Sequence, residues 1–379
     1  MKVGLMLDDT LDRPDGVQQY VLVLGRWLAQ QGHEVHYLVA DTKRRDVPNV
    51  HSLGRYVSLR FNGNGVRTPW PAGRRRIRRL VAELNLDVLH VQLPYSPFLG
   101  ARVIKAVGAQ TALVGTFHTL PVTAREAATN HVLAWWLRSS ARRIRTVVAE
   151  TRPAAEFAQA VYGWPAAAVP GPVNVAELTK AGGRGPTRTP RGRLRVVFLG
   201  RLVRRKGALE LIRAFQALPP AAARRARLVI GGRGPLARRA QRLAAGNPVI
   251  SFTGFVPERS KARFLASADI AVFPATGGES FGIILAEAMA AGAGVVLGGD
   301  NPGYAAALGE HSQALFDPAD TAAFSRRLAH FIEDETARRK LHDSQQRLVK
   351  KYDVQLVGRQ LEKLYQRALR ETRRDHAKL

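Results

Sequence analysis

The sequence predicts an α/β protein made of two doubly wound parallel-sheet domains that face each other across a cleft. In both halves of the chain, short apolar segments alternate with amphipathic helical ones, which is the pattern of β–α–β units. Residues 176–194, rich in glycine, proline and charge, separate the halves and predict a linker. The length of 379 residues allows two cores. We expect domains at residues 1–175 and 195–355, and a basic helix over residues 356–379 that crosses back toward the first domain.

The first half begins with a strand, a helix and a second strand. Residues 2–7 are an apolar run of strand length. Residues 17–31 have the spacing of an amphipathic helix, and Gly32 is a helix stop signal. Residues 35–40 are again apolar and predict the next strand. The later predicted strands of this half are residues 88–92 and 112–117.

The second half repeats the alternation after the linker. Its first helix is predicted at residues 209–217. In doubly wound sheets ligands bind beyond the carboxyl ends of the strands, so residues that follow strands are candidates for a site. The predicted strands are residues 195–199, 228–231, 249–253, 270–274 and 294–297.

One motif, residues 277–292, carries the clearest chemistry. Glu279 precedes the predicted helix, and Glu287, eight positions later, lies about two turns farther along. The helix start presents backbone N–H groups at the positive end of the helix dipole. Carboxylates and amides together match the hydroxyls, ribose and phosphates of a nucleotide sugar. The alternative is a helix entrance with two solvated glutamates. The amides belong to Ser280, Phe281, Gly282 and Ile283.

Other candidates also follow predicted strands. Gly16 precedes a helix, where a missing side chain lets a phosphate or sugar approach the backbone, although a plain turn has the same sequence. His118 would orient a reacting sugar through a ring nitrogen or its backbone carbonyl, and a packing histidine is the alternative. Arg201 and Lys206 would neutralise a departing diphosphate, unless they belong to a solvated basic loop.

The charge of the chain favours anionic partners. Lysine and arginine number 58 against 30 acidic residues, a net charge of +28. This balance suits a phospholipid surface, nucleic acid or a nucleotide substrate, and a coding bias toward arginine is the alternative origin. A nucleic-acid binder would interleave aromatic residues with its basic ones, and this sequence, 7% aromatic, does not. We therefore expect no nucleic-acid partner.

Several chemistries are excluded by composition. The chain has no cysteine, so disulfides, thiolate metal sites and cysteine nucleophiles are absent. No Asp-x-Asp pair follows a predicted strand, so we expect no catalytic metal and no cofactor beyond a nucleotide-sugar co-substrate. The sequence has no run long and apolar enough for a spanning helix, and its start does not resemble a signal peptide. A cytoplasmic protein is the expectation.

A basic amphipathic helix is predicted near residues 72–84. Ile77, Leu80, Val81 and Leu84 share one face at helical spacing. The arginines on the remaining surface would bind anionic headgroups, at about 1 kcal/mol each. A helix packed on its sheet with a solvated basic face explains the same pattern, and the two are compatible. We expect peripheral docking at the inner face of the cell membrane. The arginines are Arg74, Arg75, Arg76, Arg78 and Arg79.

These motifs resemble the family 4 glycosyltransferases of the GT-B fold. Besides residues 277–292, the resemblance rests on Gly231-Gly232-Arg233-Gly234-Pro235 and Phe252-Thr253-Gly254-Phe255-Val256. In the first half, Asp15-Gly16-Val17-Gln18 and Thr116-Phe117-His118-Thr119 look most like the actinobacterial phosphatidylinositol mannosyltransferases. The resemblance covers nearly the whole chain.

The resemblance implies how the donor's phosphates and ribose are held. Arg201 and Lys206 would bind the diphosphate, Gly16 would line the phosphate side from the first domain, and Glu287 would bind the ribose.

It also implies contacts to the base and to the transferred sugar. Val256 and Lys261 would border the base. Glu279 and the amides of residues 280–283 would hold the sugar.

The acceptor side follows from the same resemblance. Gln18, Asn62 and Thr119 would face a polyol such as inositol. His118 would lie beside the sugar at the reacting centre. The residues expected to act in catalysis are His118, Glu279, Arg201 and Lys206.

The implied activity is retaining, metal-independent transfer of a hexose. The first expectation is mannose from GDP-mannose onto a polyol or phospholipid such as phosphatidylinositol, at a membrane surface. The departing diphosphate would take the acceptor proton during same-face attack. A UDP-sugar donor with a diacylglycerol or soluble acceptor is the alternative, and a non-enzymatic nucleic-acid binder is a remote one.

Overall fold

The chain divides into two compact units. A computed structural model describes residues 1–13, 15–61, 64–121, 124–183, 192–309 and 311–377. Unit 1 comprises Met1–Pro172 together with Val354–Leu379, and unit 2 comprises Val173–Asp353. The units therefore meet in sequence at residues 172–173 and 353–354, a few residues before the boundaries expected from composition.

Unit 1 is a parallel sheet with helices on both faces and a separate hairpin. Its strands are β1 (Lys2–Leu7), β2 (Glu34–Val39), β3 (Val50–Ser52), β4 (Gly54–Phe61), β5 (Asn64–Pro71), β6 (Val88–Gln92), β7 (Ala112–Phe117), β8 (Thr146–Ala149) and β9 (Ala166–Ala168). Its helices are α1 (Gly16–Gln30), α2 (Arg74–Leu84), α3 (Leu99–Ala106), α4 (Ala124–Ala141), α5 (Arg152–Tyr162) and, at the C-terminus, α15 (Val354–His376).

The sheet of unit 1 has the strand order β3-β2-β1-β6-β7-β8-β9. All its pairs are parallel, with β1 between β2 and β6. Successive residues of β1 bury on opposite faces: Val3, Leu5 and Leu7 pack with α1 and α15, whereas Met6 packs with α2 and α3. Burial of both faces explains the continuous apolar strands. The hairpin β4–β5 was not predicted; it is antiparallel, and Phe61 pairs with Asn64.

Unit 2 repeats the design. Its strands are β10 (Leu194–Leu199), β11 (Ala226–Gly231), β12 (Ile250–Gly254), β13 (Ile270–Phe273), β14 (Val295–Gly299) and β15 (Leu315–Phe316). Its helices are α6 (Val175–Gly182), α7 (Ala208–Gln216), α8 (Pro220–Arg225), α9 (Ala237–Leu243), α10 (Glu258–Ala266), α11 (Ile283–Ala291), α12 (Pro302–Leu308), α13 (Thr321–Glu333) and α14 (Glu335–Leu348). Three-residue and four-residue 3-10 turns cover Arg204–Lys206, Ser312–Ala314 and Val349–Tyr352.

The sheet of unit 2 is also parallel, with the order β12-β11-β10-β13-β14-β15. From β10 the chain adds β11 and β12 on one side of the sheet and then β13, β14 and β15 on the other. The boundary between β10 and β13 is therefore a topological switch point, where ligands bind at the carboxyl ends of the strands. One continuous core surrounds this sheet. The prediction of two doubly wound parallel-sheet domains is confirmed.

The first half of the segment expected to be a linker is helix α6. Its N-cap, Asn174, accepts a hydrogen bond from the backbone N–H of Glu177 at 3.0 Å. The Thr179 hydroxyl donates to the carbonyl of Ala290 at 2.9 Å, and α6 packs beside α11 within unit 2. The glycine-rich composition concealed this helix because its stabilising contacts, with α10 and α11, come from segments distant in sequence. Residues 184–191 of the same segment lie outside the described residues.

Helix α15 belongs to unit 1 and packs beside α1. The indole N–H of Trp27 donates to Gln355 at 3.0 Å, and Gly358 lies against the same ring. Tyr365 reaches further in: its hydroxyl is 2.6 Å from Nδ1 of His90, whose Nε2 contacts the Thr116 hydroxyl. The C-terminal helix is thus part of the core of unit 1.

Candidate active site

Loops at the carboxyl ends of the strands of unit 2 are bonded to one another. After β10, the Leu202 N–H donates to the carbonyl of Arg233, which follows β11, at 2.9 Å. After β13, the Thr276 N–H donates to the carbonyl of Arg205 at 2.9 Å. Three loops that are distant in sequence therefore form one rim at the switch point, and several of the predicted site residues lie there.

Glu279 lies at the centre of this rim, between two cations. Its Oε1 is 2.7 Å from Nζ of Lys206 and contacts the guanidinium of Arg205. Burial lowers the pKa of Lys206, the Glu279 carboxylate opposes this, and the charges of Arg205 and Arg201 lower it further. The structure brings Glu279 and Lys206 together, and Arg201 lies near enough for its charge to lower the pKa of Lys206. Arg205 was not among the predicted site residues, and its contact with Glu279 adds it to the site.

Helix α11 begins directly behind Glu279. Gly282 caps the helix with φ of +81°, and a Cβ there would lie 2.2 Å from the Tyr304 ring, so glycine is required. The first turn of any α-helix leaves backbone N–H groups without intrahelical acceptors. Ser280 is buried, and the Phe281 ring packs edge-on against Tyr352 at 4.9 Å. The side chains of Ser280 and Phe281 therefore pack into unit 2 and fix the loop. The groups of these residues available to bind a ligand are their backbone N–H groups.

Glu287, one turn into α11, is buried and paired with Lys261 of α10. Their Oε1 and Nζ atoms are 2.6 Å apart, and Lys261 also lies 2.7 Å from Glu258. Burial lowers the pKa of Lys261, but the two carboxylates outweigh it and the net shift is upward. Lys261 therefore positions the Glu287 carboxylate. It was predicted to border a base, and in the structure its ammonium is engaged by these two glutamates.

Val256 lies in the loop between β12 and α10, at the same end of the sheet. A Cβ at Gly231 would lie 2.8 Å from the Phe264 ring and 3.0 Å from Cγ2 of Val256, so glycine lets both side chains pack against the backbone at the end of β11. Phe255 beside it is exposed, and the guanidinium of Arg233 lies 5.8 Å from its ring centroid. An apolar and aromatic edge next to a paired carboxylate suits a nucleoside.

The predicted histidine of unit 1 is held in a polar cluster after β7. Only 2% of the His118 side chain is exposed. Its Nδ1 is 3.1 Å from a carboxylate oxygen of Glu150, and its Nε2 is 2.7 Å from Oε1 of Gln92. The Tyr20 ring lies edge-on to it at 5.1 Å. Both ring nitrogens thus have protein partners, and His118 is oriented from three directions.

Glu150 and Gln92 were not predicted. Glu150 directly follows β8 and Gln92 is the last residue of β6, and both strands are neighbours of β7. Their position at strand ends was the sequence signal that could have identified them as site residues. The Gln92 amide nitrogen is buried and has no hydrogen-bond partner in the part of unit 1 that is described. Rotating this amide would offer Nε2 of His118 a donor in place of an acceptor.

The predicted acceptor residues lie around the same strand ends. Gln18, buried on α1, donates to Asp9 at 3.2 Å. Gly16, which was predicted to line the phosphate side of the donor, is exposed at the start of that helix. The Thr119 hydroxyl contacts the hydroxyl of Tyr95. Asn62, the remaining acceptor candidate, lies outside the described residues. The roles assigned to these side chains stay predictions.

The basic helix predicted near residues 72–84 is α2. Ile77 and Val81 are buried against the sheet, with Leu80 and Leu84 partly buried beside them. The arginines are exposed, and Arg79 pairs with Glu83 at 2.7 Å. Packing thus accounts for the apolar face, and membrane binding by the other face stays a prediction. The exposed arginines are Arg74, Arg75, Arg76, Arg78 and Arg79.

The described residues contain neither a metal-binding cluster nor a membrane-crossing helix. No group of three or more histidine, aspartate and glutamate side chains among them is arranged to hold a metal ion. Among the same residues, no helix combines the length and apolarity needed to cross a bilayer. Metal independence stays a prediction.

Both units match known families. Residues 14–177 match the family described as Glycosyltransferase Family 4, and residues 184–351 match Glycosyl transferases group 1. The phosphatidyl-myo-inositol mannosyltransferase of Mycolicibacterium smegmatis is 32% identical over 97% of this chain and 94% of its own length. That of Mycobacterium tuberculosis is 32% identical, covering 97% of both chains.

Solved structures with the same fold support the assignment of the architecture. Sucrose-phosphate synthase from Thermosynechococcus elongatus has a TM-score of 0.73 at 19% identity, covering 97% of this chain and 98% of its own. HepE from Anabaena, in complex with UDP and glucose, has a TM-score of 0.71 at 15% identity, covering 96% and 98%. At such low identity the likeness establishes the fold.

Proposed function

Since this chain belongs to the family 4 glycosyltransferases of the GT-B fold, we propose that it transfers mannose from GDP-mannose to phosphatidylinositol. The observation that carries the proposal is the cluster of Glu279, Lys206 and Arg205 before α11. It occurs in a chain that is similar over nearly its whole length to phosphatidyl-myo-inositol mannosyltransferases. The enzyme class follows from the family; the donor, acceptor and mechanism below are the proposal.

The donor binds to unit 2 in this account. Lys206, Arg205 and Arg201 hold the diphosphate, and the amides at the start of α11 add hydrogen-bond donors. Glu287, oriented by Lys261, accepts hydrogen bonds from the ribose hydroxyls. Glu279 binds hydroxyls of the transferred sugar. In the structure, the Glu279 carboxylate pairs with Lys206 and Arg205. When the donor binds, its diphosphate would replace Glu279 as their negative partner.

Transfer retains the configuration at the anomeric carbon. The bond between that carbon and the diphosphate oxygen breaks, the inositol oxygen attacks from the same face, and the inositol proton passes to the departing diphosphate. The cations of the rim stabilise the leaving group without a metal ion, because they lie where its negative charge develops. No further cofactor is needed.

The acceptor binds to unit 1 in this account. Strand ends that carry His118, Gln18 and Thr119 offer hydrogen-bonding groups suited to a polyol. Glu150 and Gln92 fix the His118 ring, so that its backbone and the ring edge present one geometry to the sugar. Because phosphatidylinositol is a lipid, we place the reaction at the inner face of the cell membrane, with the exposed arginines of α2 binding anionic headgroups.

Nucleotide binding tests the donor assignment. Purified full-length protein with EDTA is heated in the presence of GDP, GDP-mannose, UDP or UDP-glucose. A ligand that binds only the folded state raises Tm according to its affinity. We expect GDP and GDP-mannose to raise Tm most. A larger effect of the uridine nucleotides would move the proposal to a UDP-sugar transferase, and no effect of any nucleotide without metal would contradict the metal-independent donor site.

A further inference from the structure

Two tryptophans are exposed on the outer surface of α4. Trp135 and Trp136 are 68% and 62% exposed, and Val132, one turn earlier, is 66% exposed. Tryptophan normally buries most of its surface, as Trp27 and Trp164 of this chain do. Neither the reaction chemistry nor the core of unit 1 uses these rings. A contiguous exposed apolar patch of this kind is typical of a surface that contacts a partner or a membrane.

The patch lies among positive charges. The Arg138 guanidinium is 5.6 Å from the centroid of the Trp135 ring, and Arg125 is exposed on the same helix. The acidic residue of α4 is Glu126. Tryptophan prefers the headgroup level of a bilayer because its ring is apolar and its N–H donates a hydrogen bond, and arginine binds anionic headgroups.

Helices α2, α3 and α4 form one basic surface. Residues from all three pack into the same core, on one face of the unit 1 sheet, and α3 contacts both of its neighbours. Helix α3 exposes Arg102 and Lys105. The acidic side chain of α2 is Glu83, which is paired with Arg79. The tryptophans of α4 therefore share a surface with the arginines of α2.

The positive charge of the surface formed by α2, α3 and α4 indicates which partner would cover the exposed tryptophans. A second copy of the chain would bring the same positive surface, on a protein of net charge +28, against itself. An anionic bilayer neutralises the arginines and accepts the indoles at once.

We propose that Trp135, Trp136 and Val132 insert into the headgroup region of an anionic bilayer, so that unit 1 docks through α4 as well as α2. The inference rests on the proposed function, because a phosphatidylinositol acceptor lies in such a bilayer. Docking through the arginines alone would be electrostatic and would weaken as the salt concentration rises. Insertion of the tryptophans adds an apolar contact, so part of the vesicle binding should persist at high salt.

Lipid quenching of tryptophan fluorescence tests the insertion. Full-length protein is mixed with phosphatidylcholine–phosphatidylglycerol vesicles that carry brominated or ordinary acyl chains. Brominated chains quench only indoles that enter the bilayer; Trp27 and Trp164 are buried, and Trp70→Phe is introduced into both the wild-type and the variant background so that the fifth tryptophan of the chain does not contribute. We expect quenching in the wild type and its loss in the Trp135→Phe/Trp136→Phe variant, which keeps two aromatic rings. Equal fluorescence of the wild type in both kinds of vesicle would overturn the proposal.

Vesicle affinity provides the second measurement. Replacing both tryptophans by serine is expected to weaken binding at least about tenfold, a change of about 1.4 kcal/mol. Leu356→Ser is the matched control, because Leu356 is 49% exposed on α15, which packs on the opposite face of the sheet. Unchanged vesicle affinity, or loss of a dimer seen without lipid, would overturn the proposal.

Nucleotide binding without vesicles separates this inference from the proposed function. The serine variant should bind GDP like the wild type, because α4 lies in unit 1 and the donor residues lie in unit 2. If the wild type inserts its tryptophans but transfers no mannose, the proposed function fails and the docking surface stands. If it transfers mannose to lipid while the serine variant binds vesicles normally, only the docking inference fails.

Discussion

At the residue scale, the main feature of the candidate site in unit 2 is the Glu279 carboxylate, which contacts both Lys206 and Arg205. Glu279 compensates the charge of Lys206, which burial would otherwise make easier to deprotonate. The Glu279 carboxylate thus opposes part of the downward shift that burial imposes on the pKa of Lys206. In the proposed function, Glu279 binds the transferred sugar, and before the donor binds it neutralises the cations that would hold the phosphates.

Glu279→Gln separates these two roles. The amide keeps the size of the side chain but removes its charge, so transfer is expected to fall at least about 100-fold, as for loss of one strong transition-state contact. GDP binding should persist, because Lys206 and Arg205 no longer have a carboxylate that competes with the diphosphate. The measurements are kcat and the GDP Kd, with Glu335→Gln, an exposed residue of α14, as control. Near-normal turnover of Glu279→Gln would show that the sugar is bound elsewhere.

Glu150 offers the corresponding prediction for unit 1. Glu150→Gln leaves a side chain of the same shape beside Nδ1 of His118 but removes the negative charge that orients the ring. We expect kcat to fall about tenfold or more, with an altered pH–rate profile and an unchanged GDP Kd. Glu156→Gln on the exposed side of α5 is the control. An unchanged kcat and pH profile would remove Glu150 from the positioning of His118.

At the scale of elements, the rim of unit 2 depends on backbones in close contact. Gly303, at the start of α12, lies so near the loop before α11 that a Cβ would be 1.9 Å from the carbonyl oxygen of Glu279. Asn301, the N-cap of α12, donates to the carbonyls of Ala275 and Gly299 at 3.1 and 3.0 Å. Helix α12 thus fixes the loop that carries Glu279.

Gly303→Ala should therefore displace this loop. Backbone atoms cannot yield to a methyl group as a flexible side chain can, so we expect GDP affinity to fall at least about tenfold and Tm to drop. Isothermal titration and thermal unfolding measure both. Gly108→Ala is a suitable control, because a Cβ there would meet only the Gln110 side chain at 3.9 Å. Unchanged GDP affinity in Gly303→Ala would mean that α12 does not support the donor loop.

The sequence predicted most elements whose periodicity is local, and missed those stabilised by distant contacts. Strand β1 and helix α2 could be predicted because their apolar residues repeat at strand or helix spacing. Helix α6 was missed because its contacts with α11 are not encoded locally. Likewise Glu279 has a recognisable motif, whereas Glu150 acquires its partner only when β8 pairs with β7.

At the scale of the whole molecule, the chain returns to its first unit to complete a buried polar network. His90 lies between Tyr365 of α15 and Thr116 of β7. Burial and the nearby charge of His118 lower the pKa of His90 to about 3. The folded state of unit 1 therefore favours the neutral imidazole.

This shift predicts how stability depends on pH. The unfolded chain protonates His90 near its ordinary pKa, about 6.5. The folded chain does so only near 3, so the free energy of unfolding falls as pH drops between these values, by up to about 1.4 kcal/mol per pH unit. Denaturant unfolding at several pH values measures this slope. His90→Gln should flatten it, whereas His131→Gln on the exposed side of α4 should not. Equal slopes for wild type and His90→Gln would contradict the assignment.

The most direct test of the central claim is transfer itself. Purified protein is incubated with radiolabelled GDP-mannose and vesicles that contain phosphatidylinositol, in the presence of EDTA, and the lipids are separated and counted. We expect a singly mannosylated phosphatidylinositol with the α-configuration of the donor, a yield at least about 100-fold lower from Glu279→Gln, and no glucosylated lipid when radiolabelled UDP-glucose replaces GDP-mannose. Transfer from UDP-glucose in preference to GDP-mannose, an inverted product, or strict dependence on added metal would contradict it.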